Sequence, residues 1–323
     1  MKVVRKLRAL VVGAGKIGAL FDKPGTREVL THAHAFSVHP SFELAGVVEP
    51  DPLRLARAAR LWDCAGYDSV ARGMKGANPD VAVVAVPDRL HYPVLREIAS
   101  YSPRFVLAEK PLASTLAEAR KISALYRARR IPLGVNYIRR FLPELTALRR
   151  EIKSGKVGRF LAGAGFYGKG ALHNGSHMVD LLAYFFGRIR VLDAGPVVRD
   201  FYRDDPSVSC RLGVGGAVFC MNALDCRVYT VFELDLLFEK RRVRITDSGR
   251  RMEILTPATS RVFRGYKYLA PKKTLDLPLN SAIYLAADAI ASYLRKGSDF
   301  PSPASESMHV IETCLDICRK AGS

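Results

Sequence analysis

"LRALVVGAGKIGALF", residues 7–21, is the stretch on which the fold turns. A short apolar run passes directly into Gly13-Ala14-Gly15-Lys16-Ile17-Gly18. A lone G-x-G-x-x-G is weak, but after a strand-like run and before a helix-like one it predicts a dinucleotide turn. Gly13 makes the tight turn. Gly15 lets a pyrophosphate approach the backbone, with Lys16 and Ile17 beside it, and Gly18 lets helix and strand pack closely. The helix N-terminus then favours the phosphate charge.

Outward from this turn the pattern is regular. "FELAGVVEPD" (42–51) is a second strand ending at Glu49. A carboxylate there accepts both ribose hydroxyls and repels a 2′-phosphate, so NAD is expected over NADP. Nearby Arg54 counts the other way. Glu49 also comes late, delayed by "FDKPGTREVLTHAHAFSVHP" (21–40), which reads as an insertion plus a helix. "RLARAARLW" is then helical, "DVAVVAVP" a buried strand, "PVLREIASY" a helix, "RFVLAEKP" a strand, "LAEARKISALYRARR" a helix and "IPLGVNY" a strand. Such alternation predicts a doubly wound parallel sheet with ligand loops at its carboxyl ends. Those loops contain Pro87 and His91, and Glu109 and Lys110.

The pattern changes after residue 136, where the boundary is placed: 1–136 as a Rossmann domain and 137–323 as a second α/β domain. "CRLGVGGAVFCMNAL", "VYTVFELDLLFEKRRVRITDSG" and "RRMEILTP" read as strands joined by tight turns, hence a mostly antiparallel sheet. "SAIYLAADAIASYLRKG" and "SESMHVIETCLDICRKAG" read as C-terminal helices packing back on the core.

A chain of 323 residues, 49% apolar and 25% charged, suits a globular protein of two domains. No apolar run reaches the roughly 18 residues of a membrane span, and the basic, apolar start reads as a first strand, not a leader. A cytoplasmic protein without a membrane partner is expected, its six cysteines reduced core thiols. The net charge of +19 attracts polyanions. Its basic residues are scattered over helix faces without a nucleic-acid motif, so no specific nucleic-acid partner is expected.

"GALHNGSHMVDLL" (170–182) places His173, His177 and Asp180 close together. One helix through all of it would create a two-histidine face of the kind zinc uses. Asn174, Gly175 and Ser176 suggest instead a turn and N-cap, which leaves His173 outside the helix, and no metal is expected. Asp180, one turn after His177, either orients its imidazole or is a first-turn carboxylate favoured by the helix dipole.

In order and spacing, GAGKIG, Glu49, the Pro87/His91 loop, Glu109-Lys110-Pro111, "NYIRRFLP" and "SHMVDLL" resemble the glucose–fructose oxidoreductase/inositol dehydrogenase (Gfo/Idh/MocA) family. The resemblance implies an N-terminal Rossmann domain and a C-terminal α/β domain whose open sheet supports homodimers or homotetramers. It implies that Lys110 reaches the nicotinamide ribose and the reacting carbon, that the Lys110–Pro111 peptide can be cis, and that His177 is the catalytic histidine. Many members carry aspartate where this chain has His173, which puts substrate contacts in doubt more than catalysis.

The implied chemistry is hydride transfer on a secondary alcohol or ketone, with Lys110 polarising the oxygen and His177 moving the proton. Asn136, Tyr137, Arg139, Tyr167, Lys169, His173, Asn174, His177 and Asp180 are the substrate-facing candidates. Their polar, cationic character suits a hydroxylated ring that can carry carboxylate or phosphate, and the resemblance implies a sugar, nucleotide-sugar or cyclitol. Arg139 and Arg140 could supply a bidentate anion contact, with at least one of the pair expected to be a solvated surface residue. Redox-neutral use of NAD in sugar elimination or hydrolysis, and a non-catalytic NAD sensor, stay open as alternatives.

Overall fold

The structure is a computed structural model that describes residues 5–322. Its first compact unit runs to Phe141 and is completed by Asn280–Met308; the second comprises Leu142–Leu279 and the residues from His309 onward. The division is therefore discontinuous, and it falls five residues beyond position 136.

In the first unit, strands β1 (Leu7–Val12), β2 (Phe42–Val48), β3 (Gly66–Tyr67), β4 (Val81–Val84), β5 (Phe105–Ala108) and β6 (Leu133–Val135) form one parallel sheet. Their order, β3-β2-β1-β4-β5-β6, reverses between β1 and β4. In doubly wound folds that reversal opens the ligand crevice. All four side chains of β4, and all four of β5, are buried. Strands covered on both faces need this unbroken apolar composition.

The helices of this unit are α1 (His32–Val38), α2 (Pro52–Trp62), α3 (Val70–Ala77), α4 (His91–Ala99), α5 (Leu116–Ala128) and α8 (Ala282–Lys296). Thr31, Asp51 and Thr115 cap α1, α2 and α5 by accepting the N–H of the third residue on. Each such cap is worth about 1 kcal/mol. Helix α8 buries Ile283, Ala286, Ala287 and Ile290 in the core that holds Leu7, Phe36, Phe42 and Phe105.

The second unit carries β7 (Phe160–Tyr167), β8 (Arg190–Val198), β9 (Ser207–Val214), β10 (Ala217–Ala223), β11 (Phe232–Phe238), β12 (Arg241–Thr246), β13 (Arg251–Thr259) and β14 (Lys267–Asp276). Its order is β14-β13-β12-β11-β7-β10-β9-β8, antiparallel except for the pairing of β7 with β10. Strand β11 alternates buried and half-buried positions throughout, as expected for a sheet with one covered face. Helices α6 (Pro143–Lys153) and α7 (Ser176–Phe186) belong to this unit, and α9 spans Ala304–Lys320.

All six cysteines are free thiols. Burial pushes Cys64 up to about 11 and Cys210 up to about 12, so these thiols stay protonated and inert at neutral pH.

Candidate functional site

The glycine turn has the geometry a dinucleotide needs. A Cβ on Gly13 would lie 2.6 Å from the Ala85 carbonyl oxygen, and one on Gly18 only 1.9 Å from the Gly13 carbonyl oxygen. A Cβ on Gly15 would meet nothing within 4 Å. Two glycines are thus required by packing, while the middle one faces open space where a pyrophosphate can lie against the backbone.

The helix expected after the fingerprint is cut short. Lys16–Leu20 form a single π-helical turn, and α1 starts only at His32. Asp22 is the reason: its carboxylate accepts Leu30 N–H at 2.6 Å, the Thr31 hydroxyl at 2.6 Å and His34 Nδ1 at 2.8 Å. The chain is turned out before residue 22 and returned at 30. The insertion is therefore a loop pinned at both ends.

Glu49 is buried at the end of β2. Its carboxylate accepts the Ala14 N–H at 3.1 Å and the Asp51 N–H at 3.2 Å, which ties the second strand to the glycine turn. A guanidinium nitrogen of half-exposed Arg54 lies 3.6 Å from it.

Beyond β5, Glu109 Oε1 accepts His32 Nε2 at 2.8 Å and Asn136 Nδ2 at 2.7 Å. Burial pushes this carboxyl up, but the His32 imidazole, the Asn136 amide and the Lys110 charge together hold it below the usual glutamate range. Asn136 Oδ1 is buried with no hydrogen-bond partner among the described residues, so it can accept from a ligand. The Lys110–Pro111 peptide is cis. His91 is fully buried, with Nδ1 2.7 Å from the Pro111 carbonyl and Nε2 3.0 Å from the Val86 carbonyl. It joins the two loops from within.

A group whose folded pKa is depressed adds stability that is complete above its unfolded pKa and is lost as pH falls through the folded value. Glu109→Gln should accordingly lower the urea midpoint at pH 7, and the gap from the wild type should narrow below about pH 4. A gap constant from pH 7 to pH 3 would refute the depressed value.

In the second unit the expected turn at Asn174–Ser176 is helical. A π-helical segment, Gly170–Gly175, runs directly into α7, and Ser176 makes no cap hydrogen bond. Residues 200–207 impose that path. Asp205 accepts the N–H of Leu172 at 2.9 Å and of His173 at 2.8 Å, Ser207 accepts that of Gly170, and Asp200 accepts that of Lys169. Lys169, at a φ of 65°, places its ammonium 4.9 Å from the Phe201 ring centroid, and His173 rests on Tyr202 at 4.5 Å. Asn174 donates to the Gly168 carbonyl at 2.9 Å. No group of three metal-ligating side chains is gathered among the described residues.

His177 is half-buried and Asp180 is buried one turn further on, so Asp180 is not a solvated first-turn carboxylate. Several other candidates lie inside the fold. Tyr167 is buried, its hydroxyl donating to the Val208 carbonyl and accepting the Val208 N–H, and burial raises its pKa well above the usual value. Tyr137 is buried too. Arg139 and Arg140 are both buried, against the expectation that at least one is a solvated surface residue. Arg140 pairs with Glu306 and donates to the Pro301 carbonyl. His32, Asp200, Tyr202 and Asp205 were not among the candidates. Their only sequence signal is the density of polar and aromatic residues in "THAHAF" and "RDFYRDD".

Residues 7–137 match the sequence model described as oxidoreductase family, NAD-binding Rossmann fold (GFO_IDH_MocA). Over this stretch the chain is similar to the Gfo/Idh/MocA family. The inositol 2-dehydrogenase of Corynebacterium glutamicum is 32% identical over 162 residues, 49% of this chain and 44% of that protein. The rhizopine catabolism protein MocA of Rhizobium meliloti is 29% identical over 158 residues, 47% of this chain and 44% of its own. These matches span less than half the length of the relatives. Likeness to solved structures extends over both units. The WlbA dehydrogenase from Bordetella pertussis, solved with NADH and UDP-GlcNAcA, superposes with a TM-score of 0.76 over 99% of this chain and 97% of its own, at 19% identity. At that identity the likeness is one of fold. No described helix is long and apolar enough to cross a membrane.

Proposed function

We propose that the chain is an NAD-dependent oxidoreductase that moves a hydride to or from a secondary alcohol or ketone of a sugar, nucleotide-sugar or cyclitol. The observation that carries this is the glycine turn, which is packed tight at Gly13 and Gly18 and open at Gly15. The buried, partnerless Asn136 Oδ1 supports the fit of a dinucleotide from the other side of the sheet reversal. Gly13, Gly15, Lys16, Ile17 and Gly18 would hold the pyrophosphate, Glu49 the adenosine ribose, and the Pro87 and Glu109–Lys110 loops the nicotinamide half. When bound there, the nicotinamide supplies the hydride donor or acceptor.

The remaining chemistry falls to this chain's own side chains. Oxidation of an alcohol requires its hydroxyl proton to leave as the hydride departs. Lys110 polarises that oxygen and His177 takes the proton; in the reducing direction His177 returns it. The Lys169–Asn174 segment, fixed by Asp200 and Asp205, supplies substrate contacts. We place the protein in the cytoplasm as a homodimer or homotetramer. Exposed Leu161, Phe166, Leu192 and Val218 on β7, β8 and β10 support a subunit contact through the second sheet.

The test offers the purified chain NAD with sugars, nucleotide-sugars and cyclitols, and NADH with the ketones, while NADH absorbance is followed. Turnover with one class establishes the reading. NADH binding with a flat trace throughout would defeat it and favour redox-neutral catalysis or a sensor. For the cofactor, Glu49→Ser should leave Arg54 free to take a 2′-phosphate, shifting relative affinity toward NADPH by roughly tenfold, about 1.4 kcal/mol. An unchanged NADH/NADPH ratio in fluorescence titrations would remove Glu49 from that role.

A further inference from the structure

The hairpin of β13 and β14 outgrows its sheet. Pairing of β12 with β13 stops at Arg242 and Leu255, whereas β13 and β14 stay paired out to Thr259 and Lys267. From Thr256 to Ala270 the arm therefore has only its own two strands, a form that is marginal in water without a covering partner. Its tip is nonetheless ordered. Ser260 Oγ accepts the Val262 and Phe263 N–H groups at 3.2 and 2.9 Å, and Ser260 N–H reaches the Tyr266 carbonyl at 2.9 Å. That turn holds Val262 and Phe263 outward at 81% and 66% exposure, with Tyr266 and Tyr268 also exposed behind them. Residues 254–275 include Arg261, Arg264, Lys267, Lys272 and Lys273 and no carboxylate.

We propose that this arm docks on an anionic lipid surface, with Val262 and Phe263 entering the interface and the flanking cations meeting the head groups. Three arguments select that occupant. Apolar apex, aromatic shoulder and cationic flank follow the order in which a bilayer interface presents hydrocarbon, carbonyl and phosphate layers. Single-stranded nucleic acid stacks on aromatic faces along a positively charged groove. Here the most exposed apolar group is an aliphatic valine on a projecting turn. A second copy of this arm would set its own five cations against these, with no carboxylate on either. The earlier expectation of no membrane partner rested on the lack of a spanning segment, and a peripheral contact needs none.

The experiment is co-sedimentation of the full chain with vesicles of phosphatidylglycerol and phosphatidylcholine, or phosphatidylcholine alone, at low and high salt. The wild type should partition onto the anionic vesicles at low salt and be released by high salt. Val262→Asp/Phe263→Asp and Arg261→Glu/Arg264→Glu should each lower partition roughly tenfold or more. Both variants should keep the wild-type circular dichroism spectrum and NADH affinity, because the arm lies outside the proposed cofactor turn. Equal partition of wild type and variants, or none by the wild type, overturns the proposal. So does dissociation of an oligomer by the tip variant in light scattering, or a single-stranded oligonucleotide bound more tightly than the vesicles and lost in the same variants.

Discussion

Gly18→Ala should destabilise the protein by about 3 kcal/mol, the cost of forcing a methyl group into a filled site. The clash is with backbone, 1.9 Å from the Gly13 carbonyl oxygen, so no side-chain rotation relieves it. At about 2–4 °C per kcal/mol, the melting temperature should fall by roughly 6–12 °C. Gly15→Ala is the matched control. Gly15 has a φ of −73° and open space around its Cβ position. Alanine there should leave the melt unchanged and obstruct only the pyrophosphate, lowering NADH affinity by about tenfold or more, that is about 1.4 kcal/mol. Thermal melts and NADH fluorescence titrations on both variants separate packing from binding. Full NADH affinity in Gly15→Ala would show that the cofactor does not approach this turn.

Lys110→Met should lower kcat by about 10²–10⁴-fold, the usual range for losing a group that handles charge on the reacting oxygen. Lys110 follows Glu109, whose carboxylate is held by His32 and Asn136, so its loop should survive the substitution. NADH affinity should weaken as well, because Lys110 also reaches the nicotinamide ribose in this reading, but the loss should appear in kcat more than in KM, since the interaction matters most in the transition state. The measurement is steady-state turnover of whichever substrate the NADH-absorbance panel identifies. Undiminished kcat in Lys110→Met would take the lysine out of the chemistry.

The sequence made the first sheet legible because its signals are local. "VAVV" can hardly be anything but a strand covered on both faces, and the glycine hexad announces a turn whatever lies far from it. The expected turn at Asn174–Ser176 fails for the opposite reason. Asn-Gly-Ser favours a turn in its own neighbourhood, and what overrides it is Asp205, more than thirty residues later. The burial of Arg140 likewise depends on Glu306, 166 residues away. Pairings across such separations leave no mark in composition or periodicity. His32 was hidden differently: it stands in an evident helix, and only the return of the pinned loop brings it to Glu109.

Helix α8 has a consequence for how the chain is made. The first unit lacks Ile283, Ala286, Ala287 and Ile290 until the whole of Leu142–Leu279 has been synthesised. Vectorial folding, in which an N-terminal domain finishes before the next begins, is therefore denied to this protein. The early sheet must wait with Leu7, Phe36 and Phe105 uncovered while the second unit is synthesised. A nonsense codon shortly before residue 280 would release a chain whose first-unit core could not close, a substrate for proteases more than a folded domain.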